Sequence, residues 1–275
     1  VREISQERST VESLGVWHAV VLGILEGLTE FLPVSSTGHL IIAEDAMGVN
    51  DARGKVFAIF IQLGAILAVC MAYRRKLSDV ALGLGRDRSA RRFAANVLIA
   101  FIPAMVFGAA LHGTIKTHLF SPLTVAVALI VGGVIILVVE ARPRPPRVCD
   151  IDDLTWRDAL KVGLCQCVAL FPGASRAGST IIGGMLVGLS RETATRFSFF
   201  LAIPTMAAAV VYDLYKSADI LSWDDAGVFA VGFVAAFITA LLTVQALLAY
   251  VSRHSFAPFG WYRIVFGLVV LWYFW

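Results

Sequence analysis

Two stretches carry the residue types that can do chemistry: Glu26-Gly-Leu-Thr-Glu30-Phe-Leu-Pro-Val-Ser35-Ser36-Thr37-Gly38-His39 and Pro172-Gly-Ala-Ser175-Arg176-Ala-Gly-Ser179-Thr180. Glu26 and Glu30 stand four residues apart, so on a helix both carboxylates leave one face. Such a pair suits a hard divalent cation, Mg²⁺ above all, which takes one or two carboxylates with phosphate oxygens and water. One of them could instead be a general base on a hydroxyl, and coupling of protons or sodium in a transporter or a structural hydrogen-bonded pair are further uses. Ser35, Ser36, Thr37 and His39 follow a proline break, where a small-residue turn can offer backbone N–H groups to an anion, or the hydroxyls can satisfy the turn itself. Arg176 offers a rigid fork of donors to phosphate oxygens, or a counter-ion to Glu26 or Glu30. Ser175, Ser179 and Thr180 add hydroxyls, and a helix starting near Ala177 adds a dipole that favours an anion. Acids, hydroxyls, imidazole and guanidinium together are the parts of phosphoryl transfer on a lipid-borne phosphate.

These polar residues sit in an apolar chain. Its 275 residues are 58% hydrophobic and 16% charged, with a mean hydropathy of +0.79, whereas a soluble domain carries about 25% charged residues. An integral membrane protein is implied, and each charge inside it costs roughly 2.5–3.5 kcal/mol on insertion scales. The net charge of +3 reflects Arg-rich loops, and no basic stripe interleaved with aromatics points to nucleic acid. Cys70, Cys149, Cys165 and Cys167 are too scattered for a disulfide framework or a zinc site. Val1–Leu14 is polar and has no signal-peptide apolar core, so targeting is expected to rest on the spans.

Six segments are apolar enough to cross a bilayer core, approximately 56–73, 94–111, 122–140, 197–215, 227–251 and 259–275. The regions 16–47 and 158–189 are interrupted instead. Their first arms, Trp17–Phe31 and Arg157–Phe171, are too short to span and end at Pro33 and Pro172. Re-entrant helix-loop-helix hairpins are the expectation, with kinked full spans as the alternative. Arg74, Arg75, Lys76, Arg86, Arg88, Arg91 and Arg92 against Asp79 and Asp87 mark the loop 74–92 as cytoplasmic. The segment 112–121 and the acidic loop with Asp219, Asp224 and Asp225 then lie outside, and Arg142–Arg147 and Arg253 inside. Both termini come out extracytoplasmic.

A shift of 140 positions lays the second half on the first without a gap: Gly23 meets Gly163, Ser35 meets Ser175, Gly38 meets Gly178 and Gly48 meets Gly188. The expected architecture is therefore an all-α polytopic single domain, with inverted-topology halves near 15–115 and 155–255 and a final helix at 259–275. Inverted repeats with broken elements place polar sites at the bilayer midplane, an arrangement shared with secondary transporters. A secondary transporter or lipid-carrier flippase is accordingly the competing class. The small-residue spacing of Gly108 with His112-Gly113 leaves a homodimer open without naming its face.

At these residues the chain resembles the bacterial undecaprenyl-pyrophosphate phosphatase family, the one associated with bacitracin resistance. The resemblance runs through Glu26–His39, Gln62-Leu-Gly64, Gln166–Arg176 and Arg196-Phe-Ser-Phe-Phe-Leu-Ala-Ile-Pro204. It implies hydrolysis of the C55 isoprenoid pyrophosphate on the outer face of the plasma membrane, in support of cell-wall synthesis, with Mg²⁺ or Ca²⁺. Bacitracin then competes for the lipid substrate rather than binding the protein. By position, Glu26 and Glu30 match the family's acidic motif, Ser36 its proposed nucleophile, His39 its motif histidine, and Ser175, Arg176 and Thr180 its Pro-Gly-x-Ser-Arg-Ser-x-x-Thr motif. Ala177 departs from that motif, so a hydroxyl there is either dispensable or replaced by Ser179. The expected chemistry has Glu30, with or without His39, deprotonating Ser36, which attacks phosphorus while Arg176 and a metal near Glu26 and Glu30 balance charge. Direct attack by water or by His39 are rivals.

Phosphate release from a long-chain prenyl pyrophosphate in detergent, where no gradient exists, separates the two classes. Metal-dependent release that is lost in Arg176→Ala is the result expected of the enzyme, and no release under any metal excludes it.

Overall fold

A computed structural model describes residues 14–118, 121–217, 219 and 225–274. Residues 1–13, Asp224 of the acidic loop and Trp275, all used in the reading above, lie outside the described residues. Among those described there are eleven α-helices and no strand, only an isolated bridge between Val148 and Leu189.

Six helices are long and apolar enough to cross a membrane: α3 (Ala52–Ala72), α5 (Arg88–His118), α6 (Pro122–Glu140), α9 (Arg191–Lys216), α10 (Ala226–Val251) and α11 (Ala257–Phe274). Local signals start them. Asp51, Ser121 and Ser190 accept the backbone N–H of Gly54, Thr124 and Thr193 at 2.8, 3.2 and 3.1 Å, and Pro122 opens α6, where its missing N–H costs nothing. Ile102, Phe107, Val131, Ile135, Val265 and Leu268 face outward on α5, α6 and α11, as apolar surface in contact with lipid must.

The two interrupted regions form paired short helices. The first pair is α1 (Val16–Thr29) and α2 (Ser36–Ala46); the second is α7 (Trp156–Gln166), prolonged by a 3₁₀ turn at Cys167–Leu170, and α8 (Arg176–Val187). Arms of 14, 11, 11 and 12 residues fall short of the roughly 20 a bilayer core requires. Ser35 and Ser175, 140 positions apart, precede the second arms with φ of 73° and 72°. A non-glycine residue held there stores of order 1–3 kcal/mol and persists only where its surroundings fix it. Gly48 and Gly188, also 140 apart, both have positive φ after those arms.

Three expectations need correction. The basic segment after Tyr73 is not a plain loop, because Arg74–Gly83 forms α4, a run of good helix formers with no buried residue. Helix α5 continues to His118, through much of the segment expected as a loop. Helix α8 starts at Arg176, one residue early, because Ser175 caps it through a bond from the Gly178 N–H at 3.0 Å.

Helix α6 packs along α11, α1 along α10, α7 along α5, and α3 against α9 and α10. The core holds Phe31, Ile136, Ile181, Phe197 and Phe199. Ion pairs gather at one end: Lys76 with Asp152 at 2.7 Å, Arg147 with Asp158, and Arg191 with Glu140, which also accepts the Phe256 N–H at 2.8 Å. Gly23 and Gly163 do the same packing work in α1 and α7. A Cβ there would come within 2.5 Å of the Gly232 carbonyl on α10 and 2.3 Å of the Ala100 carbonyl on α5. Gly163→Val and Gly23→Val should each destabilise by about 1–3 kcal/mol through overpacking. A lowered thermal midpoint in detergent is the readout, and an unchanged one would show that the helices can separate freely.

Candidate active site

The end of α1 carries both acids inward: Glu26 is fully buried and Glu30 nearly so. Pro33 then ends the arm, and α2 begins on the strained Ser35. This return brings Ser36 back over Glu30, so that Ser36 Oγ donates to Glu30 Oε2 at 2.5 Å. From the second pair, Arg176 Nη2 donates to Glu30 Oε1 at 2.9 Å. The residues at the two breaks therefore meet on one carboxylate. Arg176 is fixed further by Ser198 on α9, whose carbonyl and Oγ lie 3.2 and 3.3 Å from Nη1, and by the Phe31 ring 5.4 Å from the guanidinium carbon.

The remaining hydroxyls of the second motif are bonded within α8 or to α9. Ser175 Oγ caps α8, Ser179 Oγ donates to the Ser175 carbonyl at 2.8 Å, and Thr180 Oγ1 lies 2.9 Å from the Arg176 carbonyl and 2.6 Å from Ser198 Oγ. Ser179 is thus not a free stand-in for the hydroxyl missing at Ala177, which is fully buried in the core. In the first motif, Ser35 makes no side-chain cap and Thr37 is half-buried beside Ser36, so the N-terminus of α2 is the one not closed by its own serine.

His39 makes its hydrogen bonds to groups other than Ser36. Its Nδ1 lies 2.7 Å from the Ser35 carbonyl, which can only accept, so the proton is on Nδ1 and Nε2 accepts from the Tyr262 hydroxyl at 2.6 Å. The ring also stacks on Phe266, centroids 4.1 Å apart.

Among the described residues, five buried side-chain polar atoms lack a hydrogen-bond partner, and three belong here: both carboxylate oxygens of Glu26 and Nε of Arg176. Unsatisfied polar atoms are costly to bury, so their concentration at one place makes this cluster the candidate site. The carboxylate of Glu26 has hard oxygens of the kind that could bind Mg²⁺ or Ca²⁺. No group of three or more His, Cys, Asp or Glu suited to a metal occurs among the described residues, so substrate and water oxygens would have to complete such a site.

The family described as Bacitracin resistance protein BacA matches residues 19–269, which takes in every residue of this cluster. The chain belongs to that family. A relative from Nitrosospira multiformis, named undecaprenyl-diphosphatase, is 60% identical over 252 residues, covering 92% of each chain. One of the same name from Aromatoleum aromaticum is 58% identical over 253 residues, again 92% of each. A third from Rhodospirillum rubrum, named undecaprenyl-diphosphatase 2, is 58% identical over 254 residues, 92% of this chain and 93% of the relative.

Within this BacA-family chain, sequence reasoning missed Ser198, Tyr262 and Arg263. Ser198 lay in the Arg196–Pro204 stretch but carried no role. Arg263 did leave a signal, being a lone charge inside the span 259–275, and such a charge is functional or structural by default. Its guanidinium is almost wholly buried and lies between the two breaks. Tyr262→Phe removes the hydroxyl held by His39 and should lower stability by about 1 kcal/mol. Thermal unfolding in detergent reads this, and a melting curve matching the parent would mean the bond contributes nothing.

Proposed function

We propose that this chain hydrolyses undecaprenyl pyrophosphate to undecaprenyl phosphate and inorganic phosphate, recycling the lipid carrier of cell-wall synthesis. The names of its relatives support the substrate. The observation that carries the reading in this chain is Ser36 Oγ held on Glu30 Oε2 at 2.5 Å, a nucleophile resting on its base. A transporter or flippase has no use for that contact, so the alternative is not favoured.

In the proposed reaction Glu30 takes the Ser36 proton as Oγ attacks the terminal phosphorus. The bond from that phosphorus to the bridging oxygen breaks, and undecaprenyl phosphate leaves with the electron pair. Water then attacks the phosphoserine, Oγ leaves and recovers a proton, and inorganic phosphate departs. Arg176 orients Glu30 through Oε1, and its unpartnered Nε–H is a donor for phosphate oxygens. The uncapped start of α2 adds backbone N–H groups and a favourable dipole. His39, with both ring nitrogens engaged, supports the Ser35 turn and is disfavoured as the attacking group. Glu26 and Glu30 would hold Mg²⁺ or Ca²⁺, which when bound neutralises charge on the pyrophosphate.

We place the protein in the bacterial plasma membrane as one integral domain whose halves are inverted. Two features support this. Helices α1 and α7 pack on α10 and α5, elements of the opposite halves. The arms α7 and α8 start and end beside the ion-paired basic residues Arg147 and Arg191, whereas α3 reaches the basic α4 only at its far end. On this reading the hairpins are re-entrant from opposite faces, the basic end is cytoplasmic, and the site opens outward with both termini on that side.

Glu30→Gln should cut turnover by about 100-fold or more by removing the base. Ser36→Ala should do likewise and leave no trappable phosphoserine. A Ser36→Ala protein with near-normal phosphate release would exclude the serine route and leave direct attack by water.

A further inference from the structure

The residue that joins the two breaks is on neither. Arg263, on α11, donates from Nη1 to the carbonyls of Pro33 and Ala174 at 3.2 and 3.0 Å, and from Nη2 to those of Gly173 and Ala128 at 3.0 and 3.1 Å. Its Nε donates to the Leu129 carbonyl at 3.3 Å. A guanidinium has five N–H bonds in one rigid plane, and here each has its own carbonyl. No salt bridge to a carboxylate is made among the described residues, so the ends of carbonyl dipoles balance the charge.

Three of those carbonyls belong to the irregular backbone just before the strained serines. Pro33 lies two residues before Ser35, and Gly173 and Ala174 lie two and one before Ser175. Helical hydrogen bonds do not serve such carbonyls, and at membrane depth water does not either. The slot for the guanidinium is cut by glycine. A Cβ on Gly132 would come within 2.3 Å of Nη2, and one on Gly178 within 3.1 Å of Nη1. One side chain thus grips both breaks and α6 at once, close to where Ser36 and Arg176 begin their helices.

We propose that Arg263 is a positioning residue for catalysis: by pinning both breaks to one plane it holds Ser36 and Arg176 at the distances that let them share Glu30. The inference rests on the phosphatase reading for its kinetic arm only. An alkyl chain or ammonium in its place cannot reach five carbonyls, so the breaks would relax independently and the three groups lose register. A misplacement of about 1 Å at such a constellation costs on the order of 100-fold in rate.

The test compares Arg263→Gln and Arg263→Lys with the parent in detergent, by kcat and KM for prenyl pyrophosphate and by backbone hydrogen exchange. The expected result for both is kcat down by about 100-fold with KM changed by less than about 3-fold, the pattern of lost transition-state alignment. Exchange should rise at residues 34–38 and 174–178 together, while α3 and α9 keep parent protection. Gly132→Ala, which leaves Arg263 in place but crowds its slot, should give a milder version of both effects. Parent kcat in Arg263→Lys, or exchange that rises in one break alone or throughout the protein, would overturn the proposal. If Arg263→Gln does not fold, Arg263→Lys and Gly132→Ala decide by the same criteria. If the parent itself releases no phosphate, the phosphatase reading fails, and the exchange arm still decides whether Arg263 holds both breaks.

Discussion

A backbone that leaves the helix inside a membrane must find partners for its freed polar groups within the protein. The centre of the molecule shows such partners, because the irregular backbone at both breaks carries carbonyls that Arg263 meets. The solution is a cation used as a hydrogen-bond donor. Arg263 meets Pro33, Gly173 and Ala174 together with two carbonyls of α6, and its slot requires bare backbone at Gly132. Around this point the helices α6, α8 and α11 converge, and the irregular geometry at Ser35 and Ser175 is sustained.

The second element is a buried carboxylate divided between two jobs. Glu30 spends one oxygen on Arg176 and the other on Ser36. A buried carboxylate without its cation is strongly destabilising, by about 3–5 kcal/mol when a partner is removed, so the pair ties α8 to the end of α1. Ser198 accepts from the other guanidinium nitrogen through its carbonyl and Oγ, and Thr180 bonds that same Oγ at 2.6 Å. The fully buried Glu26 stands in contrast, with no such partner for either oxygen.

Much of this was legible in the sequence. The six apolar spans and the interruptions at Pro33 and Pro172 follow from hydropathy and proline chemistry, which act locally. The pairing of Glu30 with Ser36 and Arg176 could be suspected only because costly groups in an apolar chain tend to meet. What stayed hidden depends on tertiary approach. The hydroxyls of Ser175 and Ser179 read the same in sequence whether or not they bond their own helix, and the fold shows that both do. Tyr262 reaches His39 across 223 positions, a distance no local pattern encodes.

The offset of 140 also places Gln166 where the other half has Glu26, Leu170 where it has Glu30, and Arg176 where it has Ser36. The two pairs of short helices share a positive-φ serine and a positive-φ glycine at that offset, but the chemically capable residues differ between them. Any single reversal passes through a form with an unmatched buried charge: Arg176 replaced strands Glu30, and Leu170→Glu adds an acid with no cation assigned to it. Each such intermediate is penalised before the next change can relieve it. The two helix pairs are therefore not interchangeable: each holds one charge of the buried pair Glu30–Arg176, and neither can lose its own without leaving the other alone.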